Sequence, residues 1–238
     1  MFRIDEYIDN LITLLKDVFG ERLMYIGLQG SYLRNEETKN SDIDIMAVID
    51  NLSVEDLKTY QKALVSVGNF DKSCGFICGK ADLEHWNPLE ICHLLNTTKD
   101  YYGELKKLVP AYTVEDEKNY VKLSLNNLYH EICHRYVHAD REYNILKLPI
   151  TCKSVFFIIQ HLYYLNSGNF IPTKRELLEC VQDENKIVLE LSISLQDHMD
   201  YDFDTAFLVL FNWCQNALSK QSYTLNTNIG LKSHLSTF

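Results

Sequence analysis

Prolines and glycines are scarce in this chain, 4 and 9 among 238 residues. That argues against long flexible linkers and for regular structure throughout. Cysteines number 7, at positions 74, 78, 92, 133, 152, 180 and 214, an odd count with no C-x-x-C spacing. Such a pattern argues against a four-cysteine metal site and reads as free thiols of a reducing, cytoplasmic compartment. Positive charge is in deficit: 23 Lys and Arg face 33 Asp and Glu, for a net charge of -10. No nucleic acid and no membrane surface is expected as a partner on that balance, while a phosphorylated substrate held through a metal remains compatible with it. Long hydrophobic runs are missing as well. The most apolar late run, SVFFIIQHLYYL at 154–165, is too short and too polar to span a bilayer. The N-terminal twenty residues carry acids inside an apolar pattern, so they read as an amphipathic helix and not as a signal peptide.

Hydrophobic periodicity divides the rest. Ile4, Ile8, Leu11, Ile12 and Leu15 recur at helical spacing. Residues 23–28 and 43–49 read as strands, 73–79 as a third. Ser53 caps a helix over 54–67, with Asp56 three residues on as its reciprocal partner. The run 89–95 fits a strand or a short helix. Beyond Pro110 the period becomes helical. Val121, Leu125, Leu128, Ile132 and Tyr136 mark one face of a long helix reaching about 145, followed by helices over 155–165, from Thr173, and over 205–218. These patterns predict an α+β fold with two domains: a mixed sheet with helices over 1–112 and a helical bundle over 113–238.

The chemistry concentrates in GLQGSYLRNEETKNSDIDIMAVID, residues 27–50. Residues two apart on a strand share a face, so Asp42 and Asp44 point one way while Ile43 and Ile45 point the other. Two carboxylates converging in this way repel each other unless a cation lies between them. Upstream, Gly30 permits close backbone approach, and Ser31 offers a hydroxyl and leading helix N–H groups suited to phosphate. A nucleoside triphosphate hung between the two, with Mg²⁺ on the aspartates, accounts for both.

Gly30–Ser31 followed by Ser41–Asp42–Ile43–Asp44 resembles the signature of the DNA-polymerase-beta-like nucleotidyltransferase superfamily. The helical half is similar to the C-terminal domain of its small-molecule members, the aminoglycoside and lincosamide nucleotidyltransferases. The resemblance implies that Gly30 and Ser31 bind the triphosphate, that Asp42 and Asp44 bind Mg²⁺, and that a nucleoside monophosphate passes from an NTP to a hydroxyl of a small-molecule acceptor. It also implies a basic residue reaching the triphosphate near the start of the helical half, carried to Lys153 between the first two helices there. A third acid is expected on the next core strand, yet 73–79 holds none. Asp71, Asp82, Glu84 and Glu90 flank it, and Glu84 is the nominal catalytic choice if that strand extends. The superfamily also contains inactive and antitoxin members, so a non-catalytic binding protein on the same fold is the alternative. A homodimer is left open.

Three other features invite functional readings. His130-Glu131-Ile132-Cys133-His134 fits the H-E-x-x-H pattern of zinc proteases. Its place in a bundle-like helix leads us to expect no catalytic zinc there. Arg135 and Arg141 are candidates to face a cleft. Trp86, Tyr101 and Tyr102 are candidates to stack on a base or acceptor ring.

Overall fold

In the computed structural model of the chain, residues 2–197 and 201–230 are described. The chain divides into two compact units, Met1–Thr113 and Val114–Phe238.

The first unit opens with α1 (Ile4–Phe19), which buries Tyr7, Ile8, Leu11, Leu15 and Phe19 along one stripe. There follow β1 (Leu23–Leu28), α2 (Gly30–Arg34), β2 (Ile43–Ile49), α3 (Val54–Val67), β3 (Ser73–Gly79), α4 (Lys80–Glu84), α5 (Pro88–Asn96) and β4 (Lys99–Tyr102). The strands form one sheet in the order β3-β2-β1-β4. β1 runs antiparallel to both β2 and β4, while β2 and β3 are parallel. Parallel neighbours need a crossover, and α3 supplies it. Its cap is the one read from sequence: Ser53 Oγ accepts from Asp56 N at 3.2 Å, and Asp56 Oδ2 accepts from Ser53 N at 2.9 Å. Arg22 clamps the same carboxylate with both terminal nitrogens, at 3.0 and 2.6 Å, and holds its pKa well below the usual range.

Alternation along β2 sorts the core. Ile43, Ile45, Ala47 and Ile49 pack with residues of α1 and α3 on one face. Met46 and Val48 pack with Tyr25, Leu83, Leu105 and Leu108 on the other. The even-numbered face therefore becomes apolar beyond Asp44, and the two aspartates stand where it meets solvent. The ambiguous run resolves as α5, because Asn87 accepts from Leu89 N at 3.1 Å and Pro88 occupies the first turn.

The second unit consists of α6 (Val114–His138), α7 (Arg141–Ser167), α8 (Lys174–Cys180), α9 (Asp183–Asp197) and α10 (Phe203–Gly230). Val121, Leu125, Leu128 and Ile132 of α6 meet Val155, Phe156 and Ile159 of α7 and Leu210 and Trp213 of α10 in one core. The fold class is thus α+β, a mixed sheet with helices followed by a helical region. By length and composition α7 is apolar enough to cross a bilayer, with half of its most apolar window buried within the protein.

Three expectations are corrected in this unit. The helix expected to reach 145 stops at His138, and α7 starts at Arg141. Asp140 caps it, accepting from Tyr143 N at 2.7 Å. The buried Asn144 amide then donates to the carbonyls of Arg135 and Asp140 at 3.1 and 2.9 Å, closing the end of α6. Pro149 is no junction between helices but lies inside α7. A proline there deprives the carbonyl four residues earlier of its donor. That carbonyl belongs to Ile145, and Tyr201 Oη donates to it at 2.6 Å. The last helix also outruns its expected end at 218, continuing to Gly230, and residues 231–238 of the polar tail lie outside the described residues.

Candidate active site

The site grows from the β1–α2 turn and the start of β2. Gln29 N donates to Asp44 O at 2.9 Å, which staples the turn to the strand. Gly30 follows with φ +69, and a Cβ there would collide with Asp44 Oδ2. The backbone that opens α2 thus lies directly against the Asp44 carboxylate, a fit that only glycine permits. Ser31 sits in the first turn of α2, whose leading N–H groups have no acceptor within the helix. Asp42 is exposed and Asp44 partly buried. Burial raises the proton affinity of Asp44. A hydrogen bond from Cys74 opposes that shift, the charge of Asp42 adds to it, and Arg34 lowers it. Carboxylate oxygens are the donors that a hard divalent cation such as Mg²⁺ takes.

Cys74 is the site residue that the sequence reading missed. In the parallel register of β2 and β3 it stands level with Asp44. The residue is exposed to solvent, and its thiol pKa is pushed up, by partial desolvation first and by the neighbouring Asp44 and Asp42 charges as well. No acid lies on β3, so a thiol occupies the strand position beside the aspartates. The signal was available: a strand, a crossover helix and a strand imply parallel neighbours, and matching their starts sets 74 beside 44.

The flanking acids have local partners instead. β3 ends at Gly79, level with Ile49, at the opposite end of β2 from Asp44. Glu84 therefore is not strand-borne. It ends α4, half-exposed, with Lys80 Nζ at 3.8 Å. Asp82 caps α4 by accepting from Gly79 N at 3.0 Å, and Glu90 accepts from Trp86 Nε1 at 2.6 Å. Asp71 lies in the short turn before β3.

On the other side of β1, Asp100 stands opposite Gly27 and accepts from Tyr25 Oη at 2.6 Å. A side chain at Gly27 would collide with that hydroxyl, so its bareness gives the phenol its path. Gln29 Nε2 reaches Thr98 Oγ1 at 2.8 Å, tying the same turn to the segment before β4.

The remaining candidates find structural uses. Tyr101 Oη donates to Asp5 at 2.5 Å, and Lys16 lies over the Tyr102 ring. Trp86 packs edge-on against Phe76. In the helical unit, Lys153 is exposed on α7. Arg135 is buried and bonded to Glu131, Thr151 and Asn144, while Arg141 forks onto Asp204 at 2.8 and 2.9 Å. The H-E-x-x-H glutamate, Glu131, is bound by Arg135 at 2.6 Å and Thr151 at 2.7 Å, so it is not poised over an imidazole pair as a base. His130, His134 and His138 share one exposed face of α6, with successive rings 5.7 and 4.7 Å apart.

Residues 8–123 match the nucleotidyltransferase domain family model, a span that contains every element of this site. This part of the chain is a nucleotidyltransferase domain. The superfamily read from Gly30–Ser31 and Asp42–Asp44 is thereby the one identified. Among curated proteins no sequence match is found. Among solved structures, the chain is similar to spectinomycin adenyltransferase AAD(9) from Enterococcus faecialis, solved with ATP and spectinomycin. The identity is 14%, coverage is 88% of this chain and 98% of that one, and the TM-score is 0.56. The likeness is one of fold, and it extends beyond the nucleotidyltransferase domain into the helical half. A toxin-antitoxin structure with AMP-PNP also matches, at 23% identity over 56% of this chain and 92% of that one, with a TM-score of 0.32.

Proposed function

We propose that the chain transfers a nucleoside monophosphate from an NTP to a hydroxyl of a small molecule. The observation that carries this reading is the contact of the Gly30 backbone with the Asp44 carboxylate, which sets a phosphate-binding turn beside a cation-binding pair. Gly30 and Ser31 receive the triphosphate, and Asp42 and Asp44 hold Mg²⁺. When bound, the cation offsets charge developing on the phosphoryl oxygens. The turn and the carboxylates hold the α-phosphorus for in-line attack by the acceptor oxygen, with pyrophosphate leaving. No acid on β3 takes the hydroxyl proton, which passes to water.

ATP is the first donor to try and an aminoglycoside-like cation the first acceptor. Support comes from the fold likeness to an enzyme solved with ATP and spectinomycin, and from the acidic balance of this chain. The free state of all 7 cysteines fits a reducing, cytoplasmic setting.

A second reading rests on a specific observation. With Cys74 beside Asp44 and no third carboxylate on β3, the domain binds nucleotide without transferring it. One experiment separates the two: purified protein, Mg²⁺ and labelled ATP are incubated with spectinomycin and a panel of hydroxylated cationic compounds, and labelled product is sought. Product formation abolished by Asp44→Asn supports transfer. Nucleotide binding that depends on Asp44, with no product from any acceptor, moves the binding-protein reading ahead.

A further inference from the structure

Asp100 is a carboxylate that the proposed transfer does not use. It lies on the edge strand β4 opposite Gly27, and Gly27 stands opposite Met46 of β2. Opposed residues share a face of a sheet, so Asp100 lies on the Met46 face. Asp44, two residues before Met46, belongs to that face too. Two strand spacings, about 10 Å, separate β2 from β4. Asp100 is thus too far away to share one ion with the aspartate pair, and the body of an acceptor has room between them.

The carboxylate is held from below. The phenol of Tyr25 crosses the space that a side chain on Gly27 would fill and donates to Asp100 Oδ1 at 2.6 Å. Tyr25 is fully buried. Burial first, and then the hydrogen bond to Asp100, push its proton affinity up, so the hydroxyl stays a donor. Asp100 itself is exposed. The cation next to it in sequence is engaged elsewhere, since Lys99 Nζ donates to Tyr101 Oη at 3.3 Å. Among the described residues Asp100 forms no ion pair. Satisfying a buried phenol requires only an oxygen acceptor, and a neutral amide would serve. The negative charge is an addition to that task.

Resting on the reading of this face as a nucleotidyl-transfer site, we propose that Asp100 anchors the acceptor: it receives a protonated amine of the small molecule and so sets the acceptor's hydroxyl over Asp42 and Asp44. An ammonium donating to a carboxylate makes a charge-assisted hydrogen bond, stronger than a neutral one. One carboxylate oxygen is fixed by Tyr25, and the other is left for the amine. Asp100 takes no part in making or breaking bonds. Its effect is selection, because a site built to hydrogen-bond one group rejects the analogue that lacks it.

The test uses the full chain as wild type, Asp100→Asn and Asp44→Asn. Asp100→Asn keeps an oxygen for the Tyr25 hydroxyl and removes only the charge, so a purely structural role predicts no change in ligand binding. With Mg²⁺ and a nonhydrolysable ATP analogue present, each protein is titrated by calorimetry with spectinomycin, with a panel of aminoglycosides and with uncharged sugars of similar size. The titrations are run at low and at raised salt. Melting curves and affinity for the ATP analogue check that Asp100→Asn is folded.

The expected result is that at least one cationic compound binds wild type and no uncharged sugar does. Asp100→Asn should weaken that compound by about tenfold or more, the usual loss for a hydrogen bond between charged groups. It should also flatten the salt dependence of binding, and affinity for the ATP analogue should stay near that of wild type. Equal affinity of wild type and Asp100→Asn for the cationic compounds, binding to wild type that does not weaken with salt, or no binding of any of them overturns the assignment. Failure of the underlying reading is distinguishable. If Asp44→Asn loses the Mg²⁺-bound analogue while the cationic compounds ignore Asp100, only the anchor falls. If Asp44→Asn binds the analogue as wild type does, the transfer site itself is misplaced.

Discussion

The backbone of Gly30 lies against the carboxylate of Asp44, so closely that a methyl group on Gly30 would occupy the space of Asp44 Oδ2. This single contact joins the turn that would receive phosphate to the residue that would hold the cation. Gly30→Ala should therefore damage the site by geometry and not by chemistry. The positive φ alone costs about 1–2 kcal/mol for a residue with a Cβ. The collision adds to that or pushes Asp44 aside. The expected outcome is a lower melting temperature together with at least tenfold weaker nucleotide binding, about 1.4 kcal/mol. Ser31→Ala should be milder, because backbone N–H groups still meet the phosphate. Thermal melts and calorimetry on both variants check this.

Asp44 makes the stability of the ligand-free protein depend on pH. Burial, with the charge of Asp42 added, raises its folded-state pKa above the unfolded value. A raised pKa means that the folded state holds the proton more tightly. The protein without ligand is then favoured below the unfolded pKa of about 4 and loses that contribution as pH rises through the folded value. Asp44→Asn removes the effect. At neutral pH the variant should melt higher than wild type without ligand, with the gap narrowing as pH falls through the raised folded value and closed below the unfolded value of about 4. Melting curves across that range, without metal or nucleotide, provide the check.

Much of the site was legible in the sequence because its logic is local. Two-residue alternation leads to the expectation that Asp42 and Asp44 share a face, with the strand itself beginning at Ile43 and Asp42 just before it, and the S-x-x-D cap marks the start of α3 where the structure has it. The missing parts depend on partners remote in the chain. Cys74 belongs to the site only through the register of two strands some thirty residues apart, which no local pattern encodes. Pro149 read as a helix break because the sequence does not reveal that Tyr201 would satisfy the Ile145 carbonyl. The α6–α7 break was hidden for a related reason: apolar periodicity runs straight through it, and only Asp140 and Asn144 mark the stop.

Glu84 should not matter to the chemistry. It follows the far end of β3 and has Lys80 for a neighbour. Glu84→Gln is expected to leave nucleotide affinity and any transfer rate within about twofold of wild type, since exposed pairs of this kind contribute at most about 1 kcal/mol. Side-by-side calorimetry and product assays decide it, and a loss near that of Asp44→Asn would restore Glu84 as the third acid.

Arg135 should prove structural. It is buried and donates to Glu131, Thr151 and Asn144, joining α6 to α7. Arg135→Ala removes several charge-assisted bonds and leaves Asn144 and Thr151 short of partners, a loss of about 2–4 kcal/mol. Tyr201→Phe should cost at most about 1 kcal/mol, because the exposed Ile145 carbonyl that loses the hydroxyl can turn to water. Urea unfolding of the two variants measures both, with nucleotide affinity under native conditions as the control expected to stay unchanged.

The most direct test of the central claim is calorimetric titration of wild type and Asp44→Asn with a nonhydrolysable ATP analogue, with and without Mg²⁺. Two carboxylates alone hold Mg²⁺ weakly, and triphosphate oxygens complete its shell, so metal and nucleotide should bind together. The account predicts tight binding only for wild type with both present, and a loss of at least about tenfold on removing either Mg²⁺ or the Asp44 carboxylate. Equal affinity of wild type and Asp44→Asn for the Mg²⁺-bound analogue would contradict it.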